Sequence, residues 1–374
     1  MSLPGLLAFY AWTLCSEGQG LSLAEPSSEA MNQYDIDTQI LDETTIQFLH
    51  MLPKVELHVH LEGAIPYPSM LELIQKYGGT PDDRRLIERL CQYRDFSDFI
   101  ATWVLIGTYI RDYEDYQFVA GAVAADLARQ HIIYAEVLYS PSRDSAKHLD
   151  PQLITEAIRR GFSEHSSDIE LNLIADLIWD NGPEEAKQLV DRLSEVQSAG
   201  VVGIGIGGTE QSSPTQAFAE VFRTAREYGF HTNAHAGESA GAKRIWEAIQ
   251  VLNVERIGHG TSAREDPELV AYLRQAQIPI EMCPVSNVRT RAVSNMEDHP
   301  IKDFFRKGLA VCVNTDDPLL FNTSLLKEYS LLISHLGLTI DEVVQLAGNA
   351  IDYAWCDAAT KDKLRGQVRQ IHDS

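Results

Sequence analysis

Four separated segments of the chain end short apolar runs in residues able to hold a metal or move a proton. They are His58-Val59-His60, His235-Ala236-Gly237-Glu238, Gly258-His259-Gly260 and Asn314-Thr315-Asp316-Asp317. A zinc ion takes three or four nitrogen and oxygen donors that converge from different parts of a fold. Metal-assisted hydrolysis then needs a proton-transfer group outside the donor set. The segments supply three histidines and an aspartate for a metal, with a glutamate left over. His58 and His60 are two apart on a strand-like run, and a period of two puts both side chains on one face. Glycines flank His259, so the backbone there can come close to a bound molecule. Two adjacent carboxylates such as Asp316 and Asp317, if buried, need a cation to offset their charge. Each segment alone has an ordinary structural explanation: a hydrogen-bonded loop histidine, a helix cap, a solvated turn. Four of them at four strand ends make one shared site the better reading.

From about residue 45 onward, short β-like runs alternate with longer amphipathic stretches. The runs are residues 55–61, 132–139, 170–178, 201–206, 231–234, 256–258, 278–282 and 309–313. Helical stretches lie between them at 183–199, 214–228, 240–252 and 266–275, several opening on Pro or Asp as first helical turns do. Alternation of this kind predicts a parallel sheet with right-handed crossovers, and eight units predict an α/β fold, a (β/α)8 TIM-type barrel. The polar segments all fall at the C-terminal ends of the runs, where barrel enzymes gather their catalytic groups. The stretch between the first two runs, about 66–129, is too long and too helical for one crossover. It predicts additional helices inserted after the first strand, capping the barrel mouth. Within it Phe96, Phe99, Ile100, Trp103 and Ile106 show helical spacing. They read either as core packing or as an apolar wall over a substrate.

The chain has 374 residues, 44% of them hydrophobic and 23% charged, which is an ordinary composition for a large globular core. A formal net charge of −23 repels phosphate backbones and anionic lipid, so neither a nucleic acid nor a membrane is an expected partner. Five scattered cysteines, odd in number and without a Cys-x-x-Cys pair, do not make a disulfide framework and fit a reducing, cytoplasmic setting. The missing pair also argues against a cysteine-ligated zinc deaminase. Residues 3–14 are apolar but too short to span a bilayer, and no basic segment precedes them. Residues 1–44 are expected to be a poorly ordered leader, and 45–374 a single barrel domain.

The sequence resembles the adenosine/adenine deaminase family of the metal-dependent amidohydrolases. The resemblance rests on Leu52-Pro53-Lys54-Val55-Glu56-Leu57-His58-Val59-His60-Leu61-Glu62-Gly63, Tyr134-Ala135-Glu136-Val137, His235-Ala236-Gly237-Glu238, Arg256-Ile257-Gly258-His259-Gly260, Cys283-Pro284-Val285-Ser286-Asn287 and Asn314-Thr315-Asp316-Asp317-Pro318, in that order. It implies one Zn²⁺ per chain, held by His58, His60, His235 and Asp316. It makes Glu238 the acid that protonates a purine ring nitrogen, and His259 the partner of Asp316 in steering the attacking water. It places Asp317 on the imidazole-ring nitrogen of the purine and the Gly208 backbone N–H on the remaining pyrimidine nitrogen. Related binuclear enzymes often carry a carboxylated lysine at the end of the fourth strand. This chain has Gly207-Gly208 there, which favours a single metal. Nucleoside-specific members usually carry Asp two residues after the second histidine, near a ribose hydroxyl, and this chain has Glu62. The implied substrate is a small 6-aminopurine: adenosine first, with free adenine or a modified adenosine (aminofutalosine-type or N6-methylated) as alternatives.

Overall fold

In the computed structural model of the chain, the described residues are 41–79, 93, 96–142, 149–165 and 167–372. Of the expected leader, residues 1–40 lie outside them. Residues 41–44 lead into a helix, Glu43–Met51, whose first turn is capped by the Asp42 carboxylate accepting the Thr45 N–H.

Eight strands follow in a single sheet whose spatial order is the chain order: β1 (Lys54–His60), β2 (Ile132–Tyr139), β3 (Glu170–Ile178), β4 (Val201–Gly207), β5 (His231–Ala236), β6 (Arg256–His259), β7 (Ile280–Met282) and β8 (Val311–Val313). All seven successive pairs are parallel. A parallel sheet covered by helices is buried on both faces, so polar residues on these strands are buried along with the apolar ones. Every residue of β1 is buried, for example. The seam between the last and first strands is closed by a parallel bridge of Val59 to Asp316. There the Asp316 N–H donates to the His58 carbonyl at 3.0 Å, and the His60 N–H donates to the Asp316 carbonyl at 2.8 Å. The fold is a (β/α)8 TIM-type barrel, as the alternation predicts.

Expected and observed strand limits differ by two residues at β5, which runs longer, and at β7 and β8, which start later. Pro279 has no N–H for the ladder, although its carbonyl accepts from Ile257, so regular pairing starts at Ile280. The helices obey their start signals. Asp150 and Asp266 cap Pro151–Ser163 and Pro267–Ala276. Their ends are less regular. The stretch expected to be helical over 183–199 is α-helical only over Pro183–Leu193 and finishes as a 3₁₀ turn bent at Val196. After β1 the chain forms helices Tyr67–Lys76, Phe96–Gly107 and Tyr113–Arg129 before β2 begins, which matches the expected insertion. No described helix is long and apolar enough to cross a membrane.

Candidate active site

The C-terminal ends of β1, β5 and β8 bring His58, His60, His235 and Asp316 together. Their ligand-capable atoms all lie within 4.8 Å of one another, and all four residues are buried. His60 Nε2 is 3.1 Å from His235 Nε2 and 3.3 Å from Asp316 Oδ1, and His58 Nε2 is 3.6 Å from the same oxygen. His235 directs Nδ1 at the Ile206 carbonyl at 3.0 Å, so that nitrogen carries the proton and Nε2 presents a lone pair inward. His58 does the same through Nδ1, 2.8 Å from the Glu281 carboxylate, and its inward Nε2 has no hydrogen-bond partner among the described residues. Such outer partners fix ring orientation and tautomer at zinc sites. Gly258 leaves the space this needs: a Cβ there would stand 2.7 Å from His58 Cε1.

The charges fit a cation at the centre. Burial works against a charged His58, yet Asp316 and Glu281 push it up to about 10. Burial likewise opposes a charge on His60, but Asp317 and Asp316 raise it to about 9. His235 goes well below its ordinary value, through burial and then the neighbouring His58 and His60. The pocket therefore favours positive charge at its middle but has no room for three imidazolium ions. A divalent cation meets that demand with all three rings neutral. Three imidazoles and one carboxylate are a zinc donor set.

The donor ring is braced from beneath. Glu281 accepts from Asn233 Nδ2 at 3.2 Å and pairs with Arg256 Nε at 2.6 Å, and Arg256 Nη2 pairs with Glu136 at 2.6 Å. The guanidinium lies 3.4 Å from the Trp355 ring centre. Ser286 Oγ donates to Asp316 Oδ2 at 2.6 Å, while Oδ1 faces His58 and His60. Asp316 and His259 adopt left-handed backbone with φ of 65° and 62°. That conformation costs a non-glycine residue about 1–3 kcal/mol and concentrates at functional sites.

Glu238 stands outside the donor set. Its Oε1 accepts from Thr290 Oγ1 at 3.2 Å, and its Oε2 is 3.6 Å from His259 Nε2. Burial, then the charges of Asp316 and Glu210, hold its carboxyl well above the ordinary range. A protonated carboxyl of this kind can donate a proton to a bound base. The turn carrying it is clasped by Glu210, which accepts the N–H groups of Gly237, Glu238 and Ser239 at 2.8, 3.0 and 2.7 Å. His259 is buried and pushed down to about 3, chiefly by burial, so it is neutral.

The expected substrate contacts are also at this end of the barrel. Asp317 is buried, and its Oδ1 has no partner among the described residues. It lies so close to the backbone that a Cβ on Gly63 would fall 1.8 Å from that oxygen. Glu62 is buried, with Oε1 accepting the Ser140 N–H at 3.3 Å. Gly208 follows β4 with φ of 88°, its turn held by the Thr209 N–H donating to Asp180 at 3.0 Å. Within Phe96–Gly107 one residue packs as core and another lines a cavity. Phe99 stacks on Phe321 at 4.9 Å, as core. Phe96, with Glu238, Thr290 and Arg291, lines a cavity of about 280 Å³.

Comparison with known proteins agrees with this geometry. Residues 53–371 match the model of the family described as adenosine deaminase. The chain belongs to that family. An aminodeoxyfutalosine deaminase of Streptomyces avermitilis is 34% identical over 327 residues, 86% of this chain and 91% of that protein. An adenosine deaminase of Clostridium botulinum is 30% identical over 328 residues, 86% of this chain and 98% of that protein. A crystal structure of an amidohydrolase from Burkholderia ambifaria with bound zinc superposes with a TM-score of 0.81 at 27% identity, covering 90% of this chain and 96% of that one. The protein is thus a zinc-dependent hydrolytic deaminase of purine-type compounds.

Sequence reasoning missed most of the bracing. Glu136, Ser286 and Asn287 sit in the motifs quoted above, but nothing in a linear pattern says what they touch. Glu281 and Arg256 had a signal: each is a charge inside an apolar run expected to be a buried strand. A buried charge requires a partner, and each is the other's.

Proposed function

We propose that this deaminase acts on a 6-aminopurine nucleoside, converting adenosine to inosine and ammonia. The observation that carries the reading is a buried Glu238, its carboxyl held well above the ordinary range, beside a donor ring of His58, His60, His235 and Asp316 and itself outside that ring. Zinc, which His58, His60, His235 and Asp316 would hold, would lower the pKa of water to about 7 and so supply a nucleophile at neutral pH. Glu238 donates its proton to the ring nitrogen next to the amine-bearing carbon, which makes that carbon electrophilic. His259 and Asp316 fix the face from which the water oxygen arrives. The new C–O bond forms and the exocyclic C–N bond breaks; of the two protons the water gives up, one leaves with the amine as ammonia and the other restores the Glu238 carboxyl. Asp317 shares a hydrogen bond with the imidazole-ring nitrogen of the purine, and the Gly208 N–H meets the remaining pyrimidine nitrogen. The free thiols of Cys283, Cys312 and Cys356 fit a reducing cytoplasm as the place of reaction.

A second reading is an adenosine of the aminodeoxyfutalosine type, favoured by the Streptomyces avermitilis relative, which is named for that substrate and is 34% identical to this chain. Zinc-loaded protein offered adenosine, adenine, N6-methyladenosine and aminodeoxyfutalosine should release ammonia, or methylamine from the methylated compound. The highest kcat/KM should fall on one of the two unmethylated nucleosides. No amine release from any of the four rejects the proposal, and a preference for adenine rejects its nucleoside part.

A further inference from the structure

A directional chain of hydrogen bonds runs into the site behind His259. It begins at the first turn of the helix Ile301–Arg306, where the Ile301 N–H donates to His299 Nδ1 at 3.3 Å. A backbone N–H can only donate, so Nδ1 carries no proton. His299 is buried and neutral, pushed down to about 3 by burial and by Arg264. Its single proton must then sit on Nε2, which lies 3.1 Å from Asn287 Oδ1. That contact orients the amide, because the opposite orientation would set the Asn287 NH₂ against the His299 N–H. The Asn287 Nδ2 group therefore faces His259 Nδ1, at 2.9 Å, and donates to it. With Nδ1 accepting, neutral His259 holds its proton on Nε2, the nitrogen 3.6 Å from Glu238 Oε2.

Asn287 cannot turn away easily. It is fully buried in Pro284–Arg289, its N–H donates to the Cys283 carbonyl at 2.9 Å, and its own carbonyl accepts from Val293 at 2.8 Å. Every link in the chain is buried, and an unsatisfied donor or acceptor there costs about 1–3 kcal/mol. One unambiguous donor thus propagates its direction across three side chains.

We propose that Asn287 and His299 are positioning residues that fix His259 in the tautomer protonated on Nε2, so that His259 meets the reacting centre as a hydrogen-bond donor and not as a resting base. The catalytic meaning of that donor rests on the deaminase reading above; the relay itself does not. An N–H aimed at the attacking oxygen orients its lone pair toward the purine carbon. An imidazole of the other tautomer would present a lone pair to that oxygen and to Glu238.

The test is ring-¹⁵N NMR of histidine-labelled, zinc-loaded full-length protein, with His259→Gln assigning the resonance. The expected result is His259 protonated on Nε2. His299→Phe removes the donor to Asn287 and should give a mixture of tautomers, with kcat down about 10- to 100-fold, the range for outer partners of a site. KM and zinc content should hold. His299→Gln can still donate to Asn287 Oδ1 and should keep most of the rate and the Nε2 tautomer. Asn287→Asp, which accepts where asparagine donates, should draw the proton to Nδ1. A wild-type His259 protonated on Nδ1 overturns the relay, whether or not any variant folds. So does a tautomer unmoved in both His299→Phe and Asn287→Asp. Ammonia release from no purine, with the tautomer as stated, overturns the deaminase reading and leaves the relay standing.

Discussion

Asp316 meets His60 twice, once through the backbone and once through the side chain. The His60 N–H donates to the Asp316 carbonyl at 2.8 Å, and Asp316 Oδ1 lies 3.3 Å from His60 Nε2. The first contact closes the barrel, and the second completes the donor ring. The seam and the metal site are therefore set by the same residue, in the same left-handed backbone turn. The distance between the carboxylate and the two β1 histidines follows from strand pairing and leaves little to side-chain freedom.

That separation of roles is measurable in Asp316→Asn. Asparagine tolerates the left-handed φ and leaves the backbone pairs untouched, so the zinc-free variant should unfold at nearly the wild-type temperature. Its zinc content after dialysis should fall well below one per chain. Full zinc occupancy in the variant, by elemental analysis, removes Asp316 from the ligand set.

Glu238→Gln separates the acid from the metal. The amide keeps the size of the side chain and can still meet Thr290 Oγ1, but it has no proton to give. Zinc content should be unchanged, and kcat should fall at least ~10²-fold, the low end for loss of a general acid. A near-normal kcat would show that the proton comes from elsewhere.

The sequence displayed the parts of this site that depend on strand ends and concealed those that depend on what lies across the barrel. His58, His60, His235, His259, Asp316 and Asp317 were readable because each terminates an apolar run, and terminated runs in a barrel converge. The start of each helix was readable where Asp and Pro cap it, as at Asp266-Pro267. Helix ends were not, because the turn at Val196 and the shortened β7 arise from tertiary fit. The partners of Glu281 are 25, 48 and 223 residues away in sequence, at Arg256, Asn233 and His58, and only the folded barrel makes them neighbours. Glu210 was visible in Gly207-Gly208-Thr209-Glu210, but its grip on the three N–H groups of the Glu238 turn has no linear signature.

Glu328 offers a test of buried charge outside the four-residue donor set. It is fully buried in Leu325–Ser334, and burial pushes its carboxyl from the ordinary 4.5 up to about 8, despite hydrogen bonds from Thr323 and the Val285 N–H. A carboxyl raised in the folded state favours folding while protonated. Its contribution is complete below about 4.5 and is lost as pH rises through about 8. Glu328→Gln carries no such titration. The melting temperature of the variant relative to wild type should therefore climb between these two values and level off at higher pH. A difference that stays flat across this range would show that Glu328 is not held protonated.

Glu62 is where specificity can be separated from chemistry. It lies two residues past His60, at the mouth of β1, anchored by the Ser140 N–H at 3.3 Å. Glu62→Asp draws the carboxylate back by one methylene and should open space for a sugar while leaving the donor ring and Glu238 in place. A one-methylene change in a pocket is worth about 1–3 kcal/mol, or roughly 10- to 200-fold in discrimination. The ratio of kcat/KM for adenosine to that for adenine should rise by at least the lower figure, with zinc content constant. Because both compounds share the purine and the leaving amine, the ratio cancels any general damage to catalysis. An unchanged ratio would place the sugar away from Glu62, and specificity would then have to be sought on the insertion side of the mouth, around Phe96 and Arg291.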